Sequence, residues 1–257
     1  LTAPLANAQG PDGAEGTATF VVDALVLEPA DDGAVKVVFP AAMTLEVDLL
    51  SAEEGEISIE VDLTQSGLDM AVSGTPDDAV FDYSADQIAM TLGAVLIDGD
   101  PLSAEELSIA ISVNAVAGQS RLVQGDGLRA TEQAAASSVM VEAMFEIEDT
   151  KDRISVNASM SDVSLESESF VPEGAARDSL PAMIAGDVTG TSSIRSGPGS
   201  FSMTVSNDSG VTRVNGASQS SLTVAGVENG AIKLASGRSG VHVDVSTPGF
   251  FVPVSVE

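Results

Sequence analysis

"MTLGAVLID", Met90 to Asp98, begins as a strand and then falls out of step: Met90 and Leu92 share one parity, Gly93 and Ala94 interrupt, and Val95 and Ile97 take the other. Successive side chains of a strand point to opposite faces, so a one-residue insertion exchanges faces, bends the strand and increases its twist. The stretch therefore reads as a bulged β-strand. The same break recurs in "ATFVVDALVLE", where Phe20 and Val22 precede Asp23 and Ala24 and the apolar parity then passes to Leu25 and Leu27. In "ISVNASMSDVSLE", Ile154, Val156 and Met160 give way across Ser161 and Asp162 to Val163 and Leu165. A weaker instance is "SLTVAGVENG", with Leu222 and Val224 before Ala225, Gly226 and Val227. The breaks begin at Asp23, Gly93, Ser161 and Ala225, which are 70, 68 and 64 residues apart, a spacing that predicts units of several strands bent at a similar level.

Between the breaks the period is two. "EISIEVDL" places Ile57, Ile59, Val61 and Leu63 on one face and Glu56, Ser58, Glu60 and Asp62 on the other. "ELSIAISVNAV" repeats this with Leu107, Ile109, Ile111 and Val113, "VMVEAMFEIED" with Val139, Val141, Ala143, Phe145 and Ile147, and "SFSMTVSN" with Phe201, Met203 and Val205. Such runs are strands with one dry and one wet face. Turn signals such as "TPDD", "IDGDP", "QGDG" and "VENG" separate them, and crossover helices are missing, so the sheet is expected to be antiparallel. The fold class expected is all-β: a large curved or layered antiparallel sheet with bulged strands and one short helix. A curved sheet would have a concave apolar side and a convex acidic side, whereas a layered one would close on itself as a sandwich.

The opening "LTAPLANAQGPDGAEG" shows neither period and reads as a flexible leader over 1–16. An N-terminal β region is expected over 17–171 and a C-terminal one over 187–257. Between them "PEGAARDSLPAMIAG", 172–186, is the one helix-like interval, limited by Pro181.

Composition narrows the function classes. With 44% hydrophobic residues the chain can build a core, and 39 acidic against 10 basic residues leave 39 − 10 = 29 excess negative charges spread along it. Such a surface is repelled by phosphate backbones and anionic membranes, which argues against nucleic-acid binding. Without cysteine there is neither a disulfide framework nor a thiolate metal site. No apolar run is long enough for a transmembrane segment, and a chain beginning at Leu1 is read as processed or truncated.

The succession "TATFVVDALVLEPADDGAVKVVFPAAMTLEV", "ISIEVDLTQSGLDMAVSGTPDDAVFDYSADQIAMTL" and "VSLESESFVPEG" resembles the DUF2125 family, alphaproteobacterial proteins of unknown function. The likeness is strongest from Thr17 to Gly174, and "LTQSGLDMAVSG" followed by "FDYSADQI" is its most recognisable part. The resemblance implies a periplasmic or secreted envelope protein, made with a signal peptide and with further β-rich sequence downstream. It supplies no catalytic residues. By analogy of fold alone, bent apolar-lined sheets of this kind are similar to bacterial envelope lipid carriers and AsmA-like proteins.

Chemistry-bearing motifs are scarce. The single histidine, His242 in "GVHVDVST", lies on the wet parity with Asp244 and is expected to be exposed and structural. The acidic turns Asp98 to Pro101 and Gln124 to Gly127, and the trio Asp77, Asp78 and Asp82, lack the ligand spacing of an EF-hand loop and read as hairpin turns. "GPGS" is a turn rather than a phosphate loop, and with no Trp and only Tyr83 there is no aromatic platform for sugars or bases. No catalytic residue, metal site or cofactor is therefore expected. Two functions fit: binding of a lipid or other apolar ligand on a concave sheet face, or docking and self-association through sheet edges or faces. The lining candidates chosen by strand parity are Leu92, Ile109, Ile111, Val141 and Phe145.

Overall fold

A computed structural model describes residues 2–9, 15–30, 33–51, 55–103, 105–147, 150–173, 189–207, 210–228, 231–247 and 250–255. It is all-β, 85% strand, and every described pairing is antiparallel.

The sheet is a meander whose spatial order follows the sequence. β1 (Thr2–Gln9) pairs with β2 (Glu15–Val21), which continues as β3 (Val26–Pro29). The next pass is β4 (Val35–Val38) with β5 (Ala42–Ser51), and the next β6 (Gly55–Ser66) with β7 (Asp69–Thr75). Long strands follow: β8 (Asp78–Ile97), then β10 (Leu107–Gln124), β11 (Gly127–Ile147) and β12 (Asp152–Pro172), with the stub β9 (Asp100–Pro101) folded on the end of β8. Two-part passes return with β13 (Thr189–Ser196) and β14 (Gly199–Asn207), β15 (Gly210–Ser218) and β16 (Ser220–Glu228), and β17 (Ala231–Ser239) and β18 (His242–Thr247). β19 (Phe250–Ser255) ends the order beside β18.

A crease crosses these passes near their midpoints. It runs through Val22–Leu25, Phe39–Ala41, Gly67–Leu68, Ala85–Asp86, Ala115, Ser137, Asp162, Gly197–Pro198, Gln219 and Gly240. Gly67, Ala115, Asp162 and Gly240 have φ of 63°, 48°, 50° and 58°, the left-handed region that interrupts an extended strand. Backbone bonds continue across it: Gln65 N–H donates to Ala41 O at 2.9 Å, Gly197 N–H to Ser161 O at 2.8 Å and Gln219 N–H to Ser239 O at 3.0 Å. The Gln65 side-chain amide donates to Phe39 O and Pro40 O, satisfying carbonyls that the bend removes from the ladder. Neighbouring passes carry matching insertions, so register resumes on the far side; Asn114 pairs with Ser138, and Ala117 with Ala135.

The expected bulge at Gly93 is present and lies outside the crease. Ile59 pairs with Val95 and Val61 with Leu92, so Glu60 faces the extra residue of β8. The breaks at Asp23 and at Ser161–Asp162 fall on the crease itself. At Ala225 the register is uninterrupted, Val224, Ala225 and Gly226 pairing in turn with Ala235, Leu234 and Lys233. The bend therefore recurs in each successive pass from β2–β3 to β17–β18 instead of once per unit of several strands.

Two expectations about segments are revised or fall outside the described residues. Thr2–Gln9 is the strand β1, so most of the expected leader belongs to the sheet; an edge strand pairs through its backbone and needs no apolar alternation. Of the expected helix, Pro172 ends β12 and Glu173 lies in a turn, and the remainder lies outside the described residues.

The sheet is one layer thick. Its accessible surface is 15918 Å². A compact monomer of 26.0 kDa exposes about 10,500 Å². Among the described residues only Val22, Ala85 and Val95 form an enclosed apolar core, at the crease and the bulge, while fifteen large hydrophobic side chains are exposed. No second sheet covers the dry face within the described residues, which settles the choice between open sheet and closed sandwich in favour of the open sheet.

Candidate functional site

Directly paired residues of an antiparallel ladder share a face. On one side of the crease this rule builds an apolar row across the sheet: Met43, Leu63, Met90, Ile111, Val141, Ala158 and Phe201 are linked by successive pairings. Beside it runs a second row, with Leu45, Val61 and Leu92 at one end and Ile109, Ala143, Val156, Met203 and Val214 at the other. At 4.8 Å per strand, the first row spans about 29 Å.

The five residues chosen from sequence parity lie together on this face. Ile111 pairs with both Met90 and Val141, Leu92 is two residues from Met90 on β8, and Ile109 and Phe145 pair with Ala143 and Leu107. Ile109 and Phe145 are 40% and 39% exposed and the other three are half-buried, so these side chains remain accessible from solvent.

The reverse side is polar. Asp62, Thr91, Ala110, Glu142, Asn157, Ser202 and Asn215 form the corresponding row, which continues to Asp244. His242 lies on this side, exposed, with Nε2 3.1 Å from Asp244 Oδ2. Beyond the crease the polar side carries exposed ion pairs: Lys36–Asp69 at 2.7 Å, Arg129–Glu168, and a two-bonded Arg121–Asp78 pair at 2.7 and 2.6 Å. The Arg121 guanidinium holds the Asp78 carboxyl below its usual range. An open depression of about 550 Å³ over Gln119, Gln133, Glu166 and Ser193 belongs to this polar side.

At the acidic turns the Asp98 carboxylate is engaged by the protein's own backbone. Asp98–Gly99 turns β8 into β9, and Asp98 Oδ1 accepts the Glu56 backbone N–H at 3.0 Å. Gly125–Asp126 turns β10 into β11. Among the described residues no group of three or more histidine, aspartate or glutamate side chains is placed to hold a metal ion.

On the apolar side, past the crease, parity switches in each long pass. The apolar residues are odd-numbered at Ile109 to Val113 on β10 and even-numbered at Leu122; on β11 they are odd from Val139 and even at Ala134 and Ala130. An insertion in every pass has this effect while keeping the apolar set on one side of the sheet. Here the surface is less uniform. Met70, Val72, Phe81, Leu122, Leu165 and Ile194 flank a transverse polar row, Ser120, Glu132, Ser167 and Ser192, joined by direct pairing.

Tyr83 reaches into this row. It pairs with Gly118 on β10, its ring passes over that glycine, and its hydroxyl donates to Glu132 Oε1 on β11 at 2.8 Å. Burial, and then the Glu132 carboxylate, push the Tyr83 hydroxyl up to about 12. Sequence parity did not expose this pair, because serines at the alternate positions erase the contrast between faces. The "GQS" of Gly118 to Ser120 beside "TEQ" of Thr131 to Gln133 carries no motif that points to it.

No family model, curated protein or solved structure matches this chain.

Proposed function

We propose that this chain is a noncatalytic envelope protein, periplasmic or secreted, that holds the hydrocarbon chain of a lipid against the apolar face of its creased sheet. The observation that carries the reading is the uncovered aliphatic ladder, which crosses the sheet on one side only. Ordinary monomers rarely leave so continuous an apolar surface in water. The face is built mainly from Val, Ile, Leu and Met, with Phe145 and Phe201 among them but without the Trp and Arg anchors that dominate protein interfaces, and a flexible alkyl chain suits it better than a folded partner. Burial of each methylene contributes about 0.8 kcal/mol, so a few methylenes suffice for useful affinity. The envelope location rests on the resemblance to the DUF2125 proteins.

Native mass spectrometry of the protein purified from its own source, with organic extraction of bound material, tests this. A stoichiometric lipid released on denaturation supports the reading, and a ligand-free monomer counts against it.

A second reading has its own observation. Among the described residues β1 pairs only with β2, and β19 only with β18, so the meander is open at both ends and presents backbone for strand addition. A ligand-free chain of defined oligomeric size would favour this alternative of docking or self-association.

A further inference from the structure

Glu132 is out of place for a lipid-facing surface. The residue is half-buried, its neighbours along the same face of β11 are Ala130 and Ala134, and Ser120 and Ser167 are its direct partners on the adjoining strands. One carboxylate oxygen, Oε1, accepts the Tyr83 hydroxyl. Among the described residues no cation pairs with Glu132; the arginines of the flanking positions, Arg121 and Arg129, are of opposite parity and are bound to Asp78 and Glu168. A partly desolvated carboxylate without a counter-charge is costly to maintain, and a cation supplied by a ligand would offset that cost. The three serines of the row add hydroxyl groups that accept further N–H donors.

Resting on the lipid-binding reading above, we propose that Glu132 and its serine row receive the amine head of a cationic amphiphile whose chain runs along the same face of the sheet from Glu132 toward the crease. The charge of the whole chain, 29 negative in excess, favours the same class of ligand and disfavours heads that are only anionic. Tyr83 is the positioning residue: its hydroxyl holds Oε1 and leaves Oε2 for the ammonium group.

The test is displacement of a neutral naphthyl fluorophore by dodecylamine and by dodecanol, below their aggregation concentrations, from the full chain and from Glu132→Gln and Glu142→Gln. Glu142 lies on the polar side, so its variant removes the same charge at a distance from the proposed head site. Dodecylamine is expected to bind the unmodified chain more tightly than dodecanol. Glu132→Gln is expected to weaken the amine roughly tenfold, the scale of one charge-assisted hydrogen bond, while leaving dodecanol unchanged. Glu142→Gln should change neither, and unchanged dodecanol binding shows that the Glu132 variant is folded. Equal losses of amine affinity in the two variants, or none in either, overturn the head-group assignment while the lipid reading stands. If neither probe binds the unmodified chain, the lipid reading itself fails and takes this assignment with it.

Discussion

The Tyr83 hydroxyl on β8 donates to Glu132 Oε1 on β11 at 2.8 Å, reaching over the intervening strand β10 because the residue beneath it is Gly118. A Cβ at Gly118 would stand 2.5 Å from the Tyr83 oxygen and 2.6 Å from Cζ, so the absence of a side chain makes the span possible. An aromatic ring laid over a cross-strand glycine shields backbone that glycine leaves exposed.

This contact has a direct optical readout, since Tyr83 is the only tyrosine and the chain has no tryptophan. The absorbance of ionised tyrosine should appear with a midpoint near pH 12, raised from 10.0 first by burial and then by Glu132. Glu132→Gln and Gly118→Ala should both move the midpoint down. Because the folded value is the higher one, the stabilisation is complete below about pH 10 and is lost as pH rises through 12. A midpoint at 10 in the unmodified chain would mean that the hydroxyl is free.

Ala115 occupies the crease with φ of 48°, a conformation that disfavours any residue with a Cβ. Ala115→Gly should therefore raise stability by about 0.5–1 kcal/mol in denaturant melts, the relief of left-handed strain being partly offset by glycine's greater chain entropy. Ala115→Val should lower it. Asp162, at φ of 50°, should gain less from the same replacement, because aspartate tolerates this region better than alanine. A loss of stability in Ala115→Gly would show that the crease does not need this backbone conformation.

The alternation that sequence exposes is strongest where one face is nearly pure aliphatic, and there it placed Leu92, Ile109, Ile111, Val141 and Phe145 on one surface. The crease was legible only at Asp23 and Ser161, where strong apolar runs flank it on both sides. At Pro40 and Gly67 the same bend looks like an ordinary turn, and on β10 and β11 the small residues around Ala115 and Ser137 mute the change of parity. Ala225 shows the converse error: a run of small residues imitates a break in a strand whose pairing is regular. Whether the dry face would be covered could not be read from parity at all, since a sandwich core and an open face carry the same alternation.

Phe201 lies over Gly216, its direct partner on β15, as Tyr83 lies over Gly118. A Cβ on Gly216 would collide with the Phe201 ring, so Gly216→Ala should cost about 1–3 kcal/mol through displacement of the ring. In the background of Phe201→Ala the same change should cost far less, because the obstructing ring is gone. Additive costs in the double-mutant cycle would disprove the contact.

The single-layer architecture makes an unusual ordering of core substitutions. In a sandwich, Ile111 would be enclosed between sheets, and Ile111→Ala would cost about 2–5 kcal/mol from lost burial and the cavity left behind. Here Ile111 is half-buried on an open face, its removal leaves a dent rather than a cavity, and the expected cost is about 1 kcal/mol. Val95 is smaller, yet it is 6% exposed where the bulge of β8 packs against β6. Val95→Ala should therefore destabilise more than Ile111→Ala although it removes one carbon fewer. Urea melts of the two variants, after lipid extraction, decide the matter. The reverse order would mean that something covers Ile111 in solution, and hydrogen exchange across β10 and β11 at rising protein concentration would then tell self-association from a tightly retained ligand.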